Sequence, residues 1–130
     1  MANELTKKEQ DLISTIKDND IDKVIKPLIK EVHLFDSFVA GTTHLEDVSV
    51  LDTIKEGDWL FLQREDNKFD SNSIMIFTED KRKIGYVPEK DNLIFARLMD
   101  AGKMLKARVN NITMKGSFKQ ISVGIYLVDF

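Results

Sequence analysis

Short β-like segments follow one another from residue 33 onward, and each is bounded by glycine, proline or charged turn residues. Apolar runs rich in Val, Ile and Phe between such turn residues are typical of strands. The first five segments are HLFDSFVAG (33–41), VSVLDTI (48–54), DWLFLQR (58–64), SIMIF (73–77) and KIGYV (83–87). The last two are separated only by a polar turn and are therefore predicted to form a hairpin.

One helical segment and two further strands follow. DNLIFARLMDAG (91–102) has apolar residues at helix spacing, with Asp91 or Asn92 as the predicted N-cap and Gly102 as the stop. KMLKARVNNITM and FKQISVGIYLVDF alternate as a closing pair of strands around KGS. About six short strands with one helix predict a mainly β fold, a small closed barrel with the helix across one end.

The chain before residue 33 has a different pattern. Segment 4–30 contains no glycine, and its apolar residues recur at helix spacing on both sides of KDND (17–20). We therefore predict two parts, a helical N-terminal extension at 1–32 and a β-barrel domain at 33–130. The extension is interpreted as packing on the domain or as an interaction arm.

Composition excludes several classes of protein. A length of 130 residues suggests a single domain. The chain has no Cys, which excludes disulfides, Cys-ligated zinc and a thiol nucleophile. No stretch approaches the ~20 apolar residues that span a bilayer, and the first residues lack the apolar core of a signal peptide. The predicted location is cytoplasmic, without a membrane partner.

Charge is unevenly distributed along the chain. The net charge is −3, but residues 46–80 have 3 basic and 10 acidic side chains, whereas 81–130 have 10 basic and 4 acidic ones. The basic part contains Lys81, Arg82, Lys83 and Lys90, which are predicted to form one positive face that contacts phosphates without recognising sequence. The alternative is a solvated exterior with uneven charge.

An aromatic residue lies within a polar loop, in the sequence DNKFDSN (66–72). Phe69 could stack on a nucleic-acid base while Asp70 accepts a hydrogen bond from a sugar hydroxyl and repels a phosphate. Alternatively, Phe69 plugs one end of the barrel and Asp70 caps loop amides. The loop superficially resembles a calcium loop, but it lacks the required glycine and distant glutamate, so no metal and no cofactor are predicted.

Five stretches resemble the HIRAN domain. They are VAGTTH (39–44), GDWLFLQRE (57–65), NKFDSNSI (67–74), KIGYVP (83–88) and ARLMDAGK (96–103). The chain is similar to the free-standing bacterial form of this domain, which in eukaryotes accompanies helicase-like DNA translocases. The resemblance implies an OB-like β-barrel that binds single-stranded DNA and captures a free 3′ end.

The resemblance also implies which residues contact DNA. An aromatic and an Asp of the N-x-[YF]-D loop, which starts at Asn67 here, contact the terminal nucleotide, and the residue after Gly in IGYVP lines the same groove. The strand opened by VAG supplies a basic and aromatic pair in the eukaryotic branch, where this chain has Thr43, His44 and Leu45. With the basic side chains, the predicted DNA-binding residues are Phe69, Asp70, Tyr86, His44, Thr43, Asn67, Lys83 and Lys90.

Besides Phe69 and Asp70, two of these residues have alternatives. Tyr86 could point outward as a stacking platform or inward into the core. His44 could donate to a phosphate or simply end a strand. Trp59, inside an apolar strand, is predicted to be core.

The predicted function is a nucleic-acid-binding module that favours single-stranded DNA or DNA 3′ ends, in DNA repair or processing. No catalytic constellation occurs, so the chain is predicted not to be an enzyme, and a helicase-like or nuclease protein is the expected partner. One alternative is a protein-interaction module that has lost DNA binding. The other is a metal-dependent hydrolase that uses the Asp-rich stretch.

Overall fold

The computed structural model describes residues 30–45 and 47–129, and Glu31–Val128 form one compact unit. Six antiparallel strands form a single sheet in the order β1-β6-β5-β2-β3-β4. Their bounds are β1 Lys30–Phe38, β2 Trp59–Arg64, β3 Ile74–Phe77, β4 Lys83–Tyr86, β5 Met104–Lys115 and β6 Phe118–Asp129. Two 3-10 helices, Thr42–His44 and Val48–Thr53, precede β2, and the helix α1, Asn92–Asp100, lies between β4 and β5.

The sheet curls into an OB-like barrel, which confirms the mainly β prediction. Its curvature brings the chain just after β1 against β4, at the far edge of the sheet. There Ala40 and Tyr86 exchange two backbone hydrogen bonds, each 2.8 Å between nitrogen and oxygen. Gly85 permits this approach, because a Cβ at that position would lie 2.3 Å from the carbonyl oxygen of Ala40.

Alternation along the strands determines which side chains enter the core. Leu60 of β2 and Ile74 and Ile76 of β3 are fully buried. Their strand neighbours face outward and are less buried, namely Trp59, Phe61 and Met75. Such alternation is expected for strands with one face on a core. The inner residues of β4, β5 and β6 complete the same core, which includes Ile84, Leu105, Ala107, Val109, Ile121, Val123 and Ile125.

Helix α1 packs Phe95 and Ala96 into the core and ends where the sequence predicted, with Gly102 at φ +89°. Asp91 lies at the N-cap, but its carboxylate accepts a hydrogen bond from the Ser37 hydroxyl (2.8 Å) instead of capping the helix. The helix has nine residues. No helix in the described part of the chain is long and apolar enough to cross a membrane.

Two sequence predictions need correction. VSVLDT is a 3-10 helix instead of a strand: Asp47 caps it by accepting a hydrogen bond from the Ser49 amide (3.0 Å). Val50 and Leu51 of this helix are buried, and so is Ile54, the C-cap that follows it. In addition, β1 begins at Lys30, before the predicted boundary at 33. The remainder of the predicted helical extension 1–32 lies outside the described residues.

Candidate nucleic-acid interface

The loop between β2 and β3 presents Phe69 to solvent, with 87% of the residue exposed. Hydrogen bonds within the loop determine this position. The side-chain oxygen of Asn67 accepts from the Phe69 amide (2.8 Å), and Asp70 accepts from the Asn72 amide (2.9 Å). Both are Asx turns, which stabilise local loop conformations. The alternative in which Phe69 plugs the barrel is therefore wrong.

Phe69 and Tyr86 line the same cleft, although they are 17 positions apart in the sequence. The cleft is a shallow depression of about 560 Å³, and Glu65, Asp66, Asn67 and Lys68 complete its lining. Lys68 Nζ lies 5.2 Å from the centroid of the Phe69 ring, within cation–π range. An exposed aromatic face beside a cation is suited to contact a base and its phosphate.

Tyr86 faces outward from β4, opposite Met75 of β3. Its hydroxyl donates to Glu65 Oε2 (3.0 Å) and accepts from the ammonium group of Lys83. That ammonium also lies 4.2 Å from the centroid of the Tyr86 ring. Lys83 and Glu65 together hold the ring of Tyr86 at the wall of the cleft, so the outward alternative is the correct one.

Three residues of the cleft were not among the predicted site residues: Glu65, Asp66 and Lys68. Glu65 is hydrogen-bonded on both sides of its carboxylate. Its other carboxylate oxygen accepts from the Asn67 side-chain amide (2.9 Å) and the Ser73 hydroxyl (3.1 Å). The hydrogen bond from Asn67 is the main cause that lowers the pKa of Glu65, bonds from Tyr86 and Ser73 add to it, and burial opposes it. No sequence signal distinguishes Glu65 from the other acidic residues of 46–80, because its partners are brought to it by the fold.

The lowered pKa of Glu65 predicts a pH-dependent stability. Because its pKa lies below the usual value, the stabilising contribution is complete above the unfolded-state pKa, ~4.3, and is lost as pH falls through the folded-state pKa. Glu65→Gln should therefore lower the free energy of unfolding at neutral pH, and the difference from wild type should shrink in acid. Urea unfolding between neutral pH and ~pH 3 measures both, with exposed Glu79→Gln as the control. A difference that stays constant with pH would contradict this role of the carboxylate.

Asp70 does not line the cleft, although the sequence predicted it among the DNA-binding residues. Its second carboxylate oxygen accepts from the side-chain amide of the buried Asn92 (2.9 Å), which begins α1. Asp70 thus joins the loop to the helix. Its hydrogen bond from the Asn72 amide agrees with the alternative prediction that Asp70 caps loop amides. Within 30–45 and 47–129, no group of three or more His, Cys, Asp or Glu side chains is placed to hold a metal ion.

The other predicted site residues do not line this cleft; they are Thr43, His44, Lys83 and Lys90. A neighbouring cleft is lined by His44, Arg82 and Lys83, and the ammonium group of Lys83 also contacts Tyr86 in the wall of the first cleft. Thr43 is exposed in the adjacent 3-10 helix. Lys90 is exposed in the turn before α1 and lines neither cleft.

The basic residues do not share one cleft, although the sequence predicted one positive face. Arg82 forms an ion pair with Asp80 (2.8 Å), and Lys81 lines a third cleft, with Phe61 and Phe77. The cations of the turn between β3 and β4 therefore line different clefts.

Trp59 is not a core residue, contrary to the sequence prediction. The alternation of β2 turns Leu60 inward and therefore Trp59 outward, where it is half-buried. Lys106 Nζ lies 3.8 Å from the centroid of its ring, and Arg108 Cζ lies 5.1 Å from it. The Tyr126 ring contacts it edge-on, with centroids 5.3 Å apart. The outer face of the sheet thus has a second cluster of aromatic and basic side chains.

Comparisons with known proteins agree with this architecture. The HIRAN domain family model matches residues 32–128. A crystal structure of a protein from Lactobacillus plantarum is 27% identical, with a TM-score of 0.72 over 78% of this chain and 99% of that one. The crystal structure of the HIRAN domain of human HLTF is 16% identical, with a TM-score of 0.59 over 75% of this chain and 78% of that one. No curated protein matches the chain.

Proposed function

The chain belongs to the HIRAN domain family, and on this basis we propose that it is a nucleic-acid-binding module favouring single-stranded DNA or DNA 3′ ends. It binds without catalysing a reaction of its own. Its biological setting is DNA repair or processing, beside a helicase-like or nuclease protein that supplies the enzymatic activity.

The exposed ring of Phe69 is the observation that carries this proposal. A buried aromatic ring stabilises the hydrophobic core. The Phe69 ring is 87% exposed on a loop held by hydrogen bonds, so it does not contribute to the core. A base that stacks on such a ring gains roughly 1–3 kcal/mol whatever its identity. Stacking without base-specific hydrogen bonds suits a module that recognises single strands in general.

The charges around the cleft favour a particular end of the strand. Lys68 and Lys83 lie against the two aromatic rings and can contact the phosphates of the strand. Glu65 and Asp66 line the cleft itself, where carboxylates repel a phosphate and accept a hydrogen bond from a hydroxyl. A terminal nucleotide with a free 3′-OH therefore fits this cleft better than one with a 3′-phosphate.

A titration of labelled oligonucleotides with free and phosphorylated 3′ ends tests the proposal. We expect salt-dependent binding that is tighter for the free 3′-OH. The double variant Lys68→Glu/Lys83→Glu should weaken binding to every sequence and make the salt dependence shallower. Lys115→Glu, an exposed lysine at the end of β5 that lines neither cleft, is the control. Equal salt dependence in the double variant and the control would contradict the proposal.

A protein-interaction module is the second candidate, because β1 exposes large apolar side chains. They are Val32, Leu34, Phe35 and Phe38. If this surface is the functional one, the protein should show no salt-dependent oligonucleotide binding at all, and the same titration separates the two candidates.

A further inference from the structure

Five outward-facing side chains from five strands form one row across the sheet. The strand registers pair Tyr126 with Lys106, Lys106 with Phe61, Phe61 with Phe77, and Phe77 with Lys83. Neighbouring strands lie about 4.8 Å apart, so the four steps from β6 to β4 span about 19 Å. We call this set of residues (Tyr126, Lys106, Phe61, Phe77 and Lys83) the cross-strand row.

The centre of the row is apolar and open to solvent. Phe61 is 52% exposed and Phe77 is half-buried, while their neighbours Leu60 and Ile76 fill the core. The two rings line a cleft of about 420 Å³. Phe61 and Phe77 pair directly across two strands on the outer face, and contiguous apolar surface of this kind marks interaction sites.

Positive charge flanks the apolar centre on both sides. Lys106 and Arg108 lie over the outward-facing Trp59 on one side, and Lys83 lies on the other. Three acidic groups lie beside the row. Glu31 pairs with Lys106 at 2.8 Å, Glu79 lines the Phe61 cleft with Lys81, and Glu65 shares the Tyr86 hydroxyl with Lys83. The Glu31–Lys106 pair is partly exposed, and such pairs contribute little, so an arriving phosphate can replace the carboxylate.

The row continues directly into the Phe69 cleft. Lys83 is the last residue of the row, and its ammonium group bonds the Tyr86 hydroxyl in the cleft wall. Aromatic faces at the centre with cations at both ends match the alternation of bases and phosphates in a single strand.

We propose that the cross-strand row is a second binding surface for the same single strand, which leaves the Phe69 cleft past Lys83 and crosses the sheet towards Lys106. This inference rests on the proposed function. Phe61 and Phe77 stack bases, while Lys83, Lys106 and Arg108 contact phosphates. The Phe69 cleft and the row together accommodate the ~4 or more nucleotides that one OB-like barrel binds.

Binding of a dinucleotide and a decanucleotide with the same 3′ end, measured for Phe61→Ala, tests the row. Phe61→Ala should weaken decanucleotide binding about 5- to 150-fold, the loss of one stacked base, and leave dinucleotide binding unchanged. Phe118→Ala is the matched control, since Phe118 is 45% exposed but lies at the start of β6, outside the row. Lys106→Gln should weaken only the decanucleotide, and its salt dependence should fall by about one phosphate contact.

The outcomes separate the two proposals. Phe61→Ala could bind the decanucleotide as Phe118→Ala does, while Phe69→Ala weakens binding of both ligands. The proposal that the row binds DNA is then contradicted, and the proposal that the Phe69 cleft binds DNA is retained. If the wild type binds neither ligand, the proposed function fails, and the row with it. If Phe61→Ala instead changes the oligomeric state in analytical ultracentrifugation, the row is a contact between copies of the chain and the inference is overturned.

Discussion

Replacing Phe69 with alanine is expected to weaken binding to single-stranded DNA by ~1–3 kcal/mol, about 5- to 150-fold in Kd. The ring is 87% exposed, so the folded state loses almost no buried surface when it is removed. The free energy of unfolding should therefore change by no more than ~0.5 kcal/mol, as for ordinary surface substitutions. Fluorescence anisotropy with a labelled oligonucleotide and urea unfolding measure the two quantities separately.

Two conservative variants show whether stacking is the cause. Phe69→Tyr keeps an aromatic face and should bind like the wild type. Phe69→Leu keeps an apolar side chain without a π-face and should lose most of the affinity that Phe69→Ala loses. Equal binding by the alanine variant and the wild type would show that the exposed ring does not contact DNA.

Gly85→Ala is expected to destabilise the protein by about 3 kcal/mol, the largest stability change that we predict. The added Cβ would lie 2.3 Å from the Ala40 carbonyl oxygen and 2.6 Å from Val39 Cγ1, and the first of these is backbone that cannot rotate away. Overpacking of this kind costs ~1–3 kcal/mol, and weakening the two Ala40–Tyr86 hydrogen bonds adds ~0.5–1.5 kcal/mol each.

Gly116→Ala is the control that separates the cost of steric overlap from the cost of an unfavourable backbone conformation. Gly116 has φ +63°, and a Cβ there would meet no heavy atom within 4 Å. Gly116→Ala should therefore cost only ~1–2 kcal/mol, the penalty of a left-handed backbone. Urea denaturation of both variants measures the difference. If Gly85→Ala is no more destabilised than Gly116→Ala, the approach of Ala40 to β4 is looser than the structure indicates.

Local patterns predicted most of the secondary structure correctly. The hairpin of β3 and β4, the β5–β6 pair and the end of α1 at Gly102 all depend on residues close together in sequence. Within the described residues, the segment VSVLDT was predicted as a strand and is a 3-10 helix. It is short, and alternating apolar residues in so short a run fit both structures equally well. The family resemblance, which rests on the order of several motifs, is confirmed by the match over residues 32–128.

The sequence by itself thus determined a small mainly β domain of the HIRAN family and singled out the loop that holds Phe69. Only the tertiary structure decided that Phe69 is exposed, that Asp70 turns to Asn92, and that Glu65 joins Tyr86 in the cleft wall. It also decided that Trp59 points away from the core. The sequence shows that side chains of β2 alternate between two faces, but only the fold determines which face packs inward. Secondary structure follows from neighbours in sequence, whereas these sites depend on strand registers that join residues far apart in the chain.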